Sequence, residues 1–407
     1  MIPTANGHAP TPTPRDEIKT KILPINASKL GRVVLNDSEP GTLLQDWDIE
    51  WAQTQDVANL RHAADQLQNS SIPVGFPTET VYGLGADATR SDAVKGIYKA
   101  KQRPSDNPLI VHFASLEQLR TLLRPPQTST ASPEEIDRDP IPKIYHPLIR
   151  RFWPGPLTLL MPLPTPSPLA PEVTAGLHTF GARMPRSLIA LALIRLADRP
   201  IAAPSANAST KPSPTAAEHV HFDLDGRIET ILDGGCCDVG VESTVVDGLG
   251  DTPVILRPGG VSIDELRQCE GWENVQIAYK DKAESGKGKA EAPRAPGMKY
   301  RHYSPRARVV LFEAGATPPE AGALKGKRRV GIIRTKKWQR VADSDLWEVD
   351  LGTHTKDIAR GLFSALRELD RQDVEEIFVE GIDETEGDIA AAVMNRLRKA
   401  AEVEVKG

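Results

Sequence analysis

Cysteine is scarce in this 407-residue chain, with only Cys236, Cys237 and Cys269, and none of them has metal-type spacing. Three thiols give neither a disulfide framework nor a zinc site, and they point to a reducing compartment. Long apolar runs are absent too. The longest, Leu188–Ala197, is interrupted by Arg195 and is shorter than the roughly 20 residues a membrane helix needs. Aromatic residues make up 5% of the chain, and 50 basic against 55 acidic groups leave a net charge of −5. That balance excludes a protein coated in basic surface but leaves room for a local basic cavity. HExxH, GxSxG and DxDxDG are all missing, which removes metalloprotease, α/β-hydrolase and calcium-loop readings. No internal repeat is visible.

What remains is a soluble globular composition, 39% hydrophobic and 26% charged, with 35 prolines and a length suited to two or three domains. Residues 1–25 are polar, proline-rich and aperiodic, and read as a disordered tail. They lack the apolar core of a secretion signal and are poor in Arg for a mitochondrial presequence. From Thr54 onward, Val57, Leu60, Ala64 and Leu67 fall at helical spacing. Short apolar runs at 72–76, 109–113, 157–163, 180–184, 201–203, 230–232, 243–246 and 254–256 predict strands, with helical runs such as Ser187–Ala197 between some of them. This makes 26–279 one large α/β domain. Within it, 124–143 has no apolar period and reads as a surface insertion. Over 280–308, nine Lys or Arg against three Asp or Glu give +6, so 280–305 reads as a linker. Strands near 309, 330, 346 and 376, with stripes Ile358-Leu362-Phe363-Leu366-Leu369 and Ile389-Val393-Leu397, predict a small Rossmann-like α/β domain over 306–407. That domain carries neither GxGxxG nor a lysine P-loop.

Each motif taken alone is ambiguous. KAKQR (99–103) is either a solvated basic helix end or, with Asn107 and the strand-ending His112, a cationic lip for polyphosphate or carboxylate. PTETVYGLG (77–85) is either a glycine turn or, through Thr78, Thr80 and Tyr82, a small-substrate loop. APSANASTKPSPT (203–215) is either a capping loop or a set of donors aimed at phosphate. ESTVVD (242–247) is commonplace as a strand. Arg257 in ILRPGG is either a second anion contact or a strand-ending turn. Arg183 in GARMP is a charge inside an apolar strand, and a buried Arg needs a partner, either a carboxylate or a ligand.

The ordered series PTETVYGLGADA, KAKQRPSDNPLIVHF, RFWPGPLTLL, GARMP, APSANASTKPSPT, VESTVVD and ILRPGG resembles the YrdC-type threonylcarbamoyl-AMP synthases over about 55–270. The following KYRHYSP and α/β tail resemble that family's long form. Its Lys-x-Arg and Ser-x-Asn signature is present as Lys101-Gln-Arg103 and Ser205-Ala-Asn207. The resemblance implies an α/β fold with a twisted mixed sheet and a concave, basic cavity. It also implies synthesis of threonylcarbamoyl-adenylate and pyrophosphate from L-threonine, bicarbonate and ATP. A downstream threonylcarbamoyl-transferase complex would then pass the group to an adenosine beside the tRNA anticodon.

Carried over by resemblance, the threonine site falls on Thr80, His112, Arg183 and Ser243. The ATP site falls on Arg103, Asn107, Thr179, Ala203 (backbone), Ser205, Ser213 and Arg257, with Lys101 and Asn207 nearby and Tyr303 closing over the nucleotide. Lys101, Arg103, Ser205 and Asn207 form the expected catalytic set. Lys101, Arg103 and Arg257 would neutralise triphosphate, and Arg183 would grip the threonine carboxylate. Magnesium is expected to arrive with ATP, with no dedicated metal site. A linker folding over the cavity mouth, His302 or Tyr303 touching nucleotide, would exclude water. The expected location is cytoplasmic, with a mitochondrial form left open, and no membrane partner is expected. Direct contact with tRNA or double-stranded RNA is also left open. The rivals are a non-catalytic RNA-binding module and a carbamoyl-transferring enzyme of the same fold.

Overall fold

The computed structural model describes residues 18–35, 45, 47–124, 139–279, 302–319, 329–340, 346–385 and 387–407. In chain order the first strands are β1 (Lys21–Pro24), β2 (Gly31–Leu35), β3 (Trp47–Trp51), β4 (Val74–Phe76), β5 (Gly83–Asp87) and β6 (Ile110–His112). Next come β7 (Leu157–Pro162), β8 (Thr179–Arg183), β9 (Ile201–Ala202), β10 (Thr230–Asp233), β11 (Thr244–Asp247), β12 (Val254–Arg257) and β13 (Gln276–Ile277). The last five are β14 (Arg308–Phe312), β15 (Val330–Arg334), β16 (Trp347–Asp350), β17 (Glu376–Glu380) and β18 (Val403–Val405).

Eleven strands form one mixed sheet in the order β1-β10-β4-β5-β9-β6-β8-β7-β11-β12-β13, and β2 pairs with β3 as a separate hairpin. The expected α/β fold with a mixed sheet is therefore present. Helix Gln55–Asn69 starts where Thr54 accepts the Val57 amide, and it buries Val57, Leu60, Ala64 and Leu67 as their spacing predicts. The tail is corrected in one respect. Lys21–Pro24 pair in parallel with Thr230–Asp233, because alternating backbone bonds hold a strand at a sheet edge even where little side chain is buried. Residues 1–17 lie outside the described residues. So do 125–138 of the expected insertion, whose far end is fixed by buried Ile141 and by Asp139 bound to Arg120.

The second unit is an all-parallel sheet, β16-β15-β17-β14-β18. Helix Thr355–Arg371 covers it with Ile358, Leu362, Phe363, Leu366 and Leu369, and helix Asp388–Ala400 with Val393 and Leu397. The two units share a core. Val81 and Val241, from loops of the first sheet, are buried in the same apolar cluster as Phe363 and Ile358. Gly240 (φ 79°) sits where a side chain would meet the Arg360 Cα at 2.3 Å, so only glycine lets the helix approach so closely.

Candidate active site

A cavity of about 350 Å³ opens along the middle of the large sheet. Its floor comes from two parallel neighbours, β6 and β8, whose register places His112 beside Arg183 at their carboxyl ends. Arg183 is 4% exposed, and all three of its nitrogens donate, leaving two of its five N–H groups for a ligand. Its Nη2 donates to Glu79 Oε1 at 2.6 Å, its Nη1 to Thr80 Oγ1 at 3.0 Å and its Nε to the Gly155 carbonyl at 3.2 Å. The partner that a buried arginine needs is thus Glu79, itself within PTETVYGLG. Burial, and then Arg183, depress His112 to about 3, which leaves the imidazole neutral at pH 7.

The opposite wall is the loop 203–213, laid along β5. The Ala206 amide donates to the Tyr82 carbonyl, and the Leu84 amide to the Pro204 carbonyl. Helix Ser91–Lys101 ends with Gln102 in a left-handed turn, which brings Lys101 and Arg103 to this wall. The Lys101 ammonium donates to the carbonyls of Ser205 and, at 2.6 Å, Asn207, with Asn207 Oδ1 at 3.4 Å. Its donors are directed to the loop, so the group expected to neutralise triphosphate instead pins Ser-x-Asn in place. Burial and the nearby Arg103 hold its pKa well below the usual lysine range.

At the third edge, Arg257 donates from Nε and Nη2 to the backbone oxygen and hydroxyl of Ser243, both at 3.1 Å. Gly259 is obligatory beside it, since a Cβ there would lie 2.2 Å from the Thr244 amide. Burial brings Arg257 down to about 10, still cationic at neutral pH. Tyr303 and His302 complete the lining, while 280–301 of the expected lid lie outside the described residues.

The cavity therefore gathers Lys101, Arg103, Asn107, His112, Thr80, Arg183, Ala203, Ser205, Asn207, Ser213, Ser243, Arg257 and Tyr303. Thr179 is not among them. It opens β8 opposite Pro162, and a five-residue strand carries it roughly 13 Å from the Arg183 end. Lys99 is exposed, and the Tyr82 hydroxyl donates to the Gly235 carbonyl instead. Among the described residues, the buried lining atoms Asn107 Oδ1, His112 Nδ1, Ser209 Oγ and His302 Nε2 have no partner. Buried polar atoms are seldom left so, and a cluster of them in one cavity signals a polar ligand.

Two family models cover the chain in series. The Sua5–YciO–YrdC family, described as telomere recombination, matches 66–259, and the threonylcarbamoyl-AMP synthase C-terminal domain matches 261–402. A threonylcarbamoyl-AMP synthase of Schizosaccharomyces pombe is 49% identical across 86% of this chain and 89% of the relative. One of Bacillus subtilis is 44% identical across 84% and 92%. The chain belongs to the threonylcarbamoyl-AMP synthase family. The crystal structure of Pyrococcus abyssi Sua5 complexed with L-threonine matches with a TM-score of 0.73 at 39% identity, over 95% of this chain and 100% of that one.

This family member holds two carboxylates at its site that the motif reading passed over. One is Glu79. The other is Glu242, which lines the cavity and accepts from Ser213 Oγ at 2.5 Å and from Arg396 Nε at 3.0 Å. Burial pushes the Glu242 carboxyl up, but Arg396, Arg257 and Ser213 outweigh it and keep the group ionised. Each carboxylate left a trace in the sequence as a charge inside a hydroxyl-rich or apolar motif.

Proposed function

We propose that this chain is a threonylcarbamoyl-AMP synthase that seats threonine at the Arg183 end of the cavity and ATP along the 203–213 loop. The observation that carries the reading is the division of the cavity's cations. Arg183 stands with Thr80 and His112 at the strand ends, Arg103 stands beside Lys101 at the hydroxyl-rich loop, and Arg257 lies between them, bonded to Ser243 and beside Glu242. The amine of threonine attacks the carbon of bicarbonate-derived CO₂, losing a proton and forming a carbamate. A carbamate oxygen then attacks the α-phosphorus of ATP, and pyrophosphate leaves. Carbamate and ATP are both anions, and the flanking guanidiniums hold them together against repulsion.

A neutral His112 accepts a hydrogen bond from the threonine amine without adding positive charge beside it. Ser205, on the loop that Lys101 holds, donates its hydroxyl to a phosphate oxygen, while Ser213 gives its one hydroxyl proton to Glu242. Among the described residues no group of three metal-ligating side chains occurs, and Glu242, the carboxylate lining the cavity, is already engaged. Those residues suit a magnesium ion that enters with the triphosphate, where it neutralises phosphate charge. The activated threonylcarbamoyl group serves tRNA modification, and a separate transferase complex moves it to the adenosine. No helix among the described residues is long and apolar enough to cross a membrane. The three free thiols suit the cytoplasm.

Mass analysis of a reaction with ATP, threonine and bicarbonate tests this directly. Threonylcarbamoyl-adenylate is the expected product. A mixture that yields only AMP or unchanged ATP under conditions that keep the adenylate intact contradicts the reading.

A further inference from the structure

Two arginines of the C-terminal domain are buried, one on each of its long helices. Arg396, 1% exposed, donates from Nε to Glu242 at 3.0 Å and from Nη1 to the Pro258 carbonyl at 2.6 Å. Its guanidinium also lies over the Tyr303 ring, 5.8 Å from the centroid. Arg367, 6% exposed, donates from Nη2 to the Pro212 carbonyl and to Asp223 Oδ2 at 2.8 Å. That same Asp223 oxygen accepts the Ala208 amide at 3.1 Å. One loop, 205–213, is thus held by the second domain from its middle to its C-terminal end: Arg367 reaches Ala208 through Asp223 and binds Pro212, and Arg396 reaches Ser213 through Glu242.

We infer that the C-terminal domain completes the nucleotide side of the cavity, with Arg396 and Arg367 as positioning residues for the loop that binds ATP. The inference rests on the assignment of ATP to that loop. Its physical content is twofold. Glu242 borders a cavity built for anions, and without Arg396 its charge would face the triphosphate unopposed. Ser213 takes its orientation from Glu242, so a carboxylate that shifts carries the hydroxyl with it. Neither arginine bonds to Arg183, Thr80 or His112, so threonine should be seated without them.

The test uses the full chain and compares KM for ATP, KM for threonine and thermal midpoint. Arg396→Met and Arg367→Met should each raise KM for ATP about tenfold, the loss of one charge-assisted hydrogen bond, and leave KM for threonine within twofold. Because an unpaired buried carboxylate can unfold a protein, the variant Arg396→Met/Glu242→Gln removes that charge as well. It should melt closer to wild type than Arg396→Met, and its KM for ATP should fall part of the way back, because the repulsion is gone while Ser213 still lacks its fixed partner. Wild-type KM for ATP in the double variant overturns the inference, and so does a rise of both KM values together, which marks general loosening. A wild-type chain that neither binds nor consumes ATP removes the underlying assignment, a result recognisable before any variant is compared.

Discussion

The Arg183 guanidinium and the Glu79 carboxylate meet at 2.6 Å in the cavity floor, with 5% and 2% of their side chains exposed. The second Glu79 oxygen accepts the Arg186 amide at 3.1 Å, so the carboxylate ties the end of β8 to the PTET loop as well as orienting the arginine. Removing one partner of such a buried pair strands the other charge. Glu79→Ala should therefore lose about 3–5 kcal/mol of stability, read by urea unfolding. An equal midpoint for Glu79→Ala and wild type would show that the pair holds nothing together.

In the proposed reading, Arg183 and Arg103 belong to different ligands. Calorimetry on Arg183→Ala should show threonine affinity reduced at least tenfold, with ATP affinity close to wild type, and Arg103→Ala should show the reverse. These losses correspond to about 1.5–3 kcal/mol for a hydrogen bond to a charged group. Wild-type threonine affinity in a folded Arg183→Ala contradicts the placement.

Lys101 donates to the loop carbonyls, and a role through the loop predicts a double effect. In Lys101→Met the carbonyls of Ser205 and Asn207 lose their donor while the stem volume is kept. Leaving such buried acceptors unmade costs about 1–3 kcal/mol. Both unfolding free energy and ATP affinity should fall. A stable variant that lost only ATP binding would return Lys101 to direct phosphate contact.

Two buried histidines and the half-buried His302 set an acid limit on stability. Burial, with Arg183, Arg367 and Arg103 as their respective neighbours, depresses His112, His219 and His302 to about 3. Between the unfolded value of about 6.5 and 3, the unfolded chain binds protons that the folded chain refuses. Stability is therefore whole above about 6.5 and falls as the pH drops, by roughly 1.4 kcal/mol per pH unit for each group inside the window. Urea unfolding at pH 7.5, 6 and 5 should show a steepening loss. A flat profile to pH 5 would mean that these histidines protonate within the fold.

Much of this architecture was legible in the sequence. Apolar periodicity located the helices at 55–69 and 355–371 and most strands of both sheets, and the motif series located thirteen lining residues. β5 was hidden because Gly83, Gly85 and Ala86 look like loop residues. They form a strand because the Phe76 ring lies against it, and a side chain at Gly85 would come within 2.8 Å of that ring. The β2–β3 hairpin was hidden by its charged, half-exposed faces.

Glu242 and Arg396 could not be paired from sequence, since 154 positions separate them. Arg396 did leave a signal. It continues the stripe Ile389-Val393 at a spacing where an apolar residue belongs, and a charge on a buried face implies a buried partner.

The central claim concerns what the cavity joins. Pyrophosphate release from ATP by the purified full chain, with magnesium present, measures it most directly when threonine and bicarbonate are left out in turn. Release should require both, and replacing threonine with serine should lower it about tenfold or more, because serine lacks the methyl group, whose contact in a buried site is worth roughly 1–3 kcal/mol. Equal release without threonine, or with serine in its place, would contradict the account.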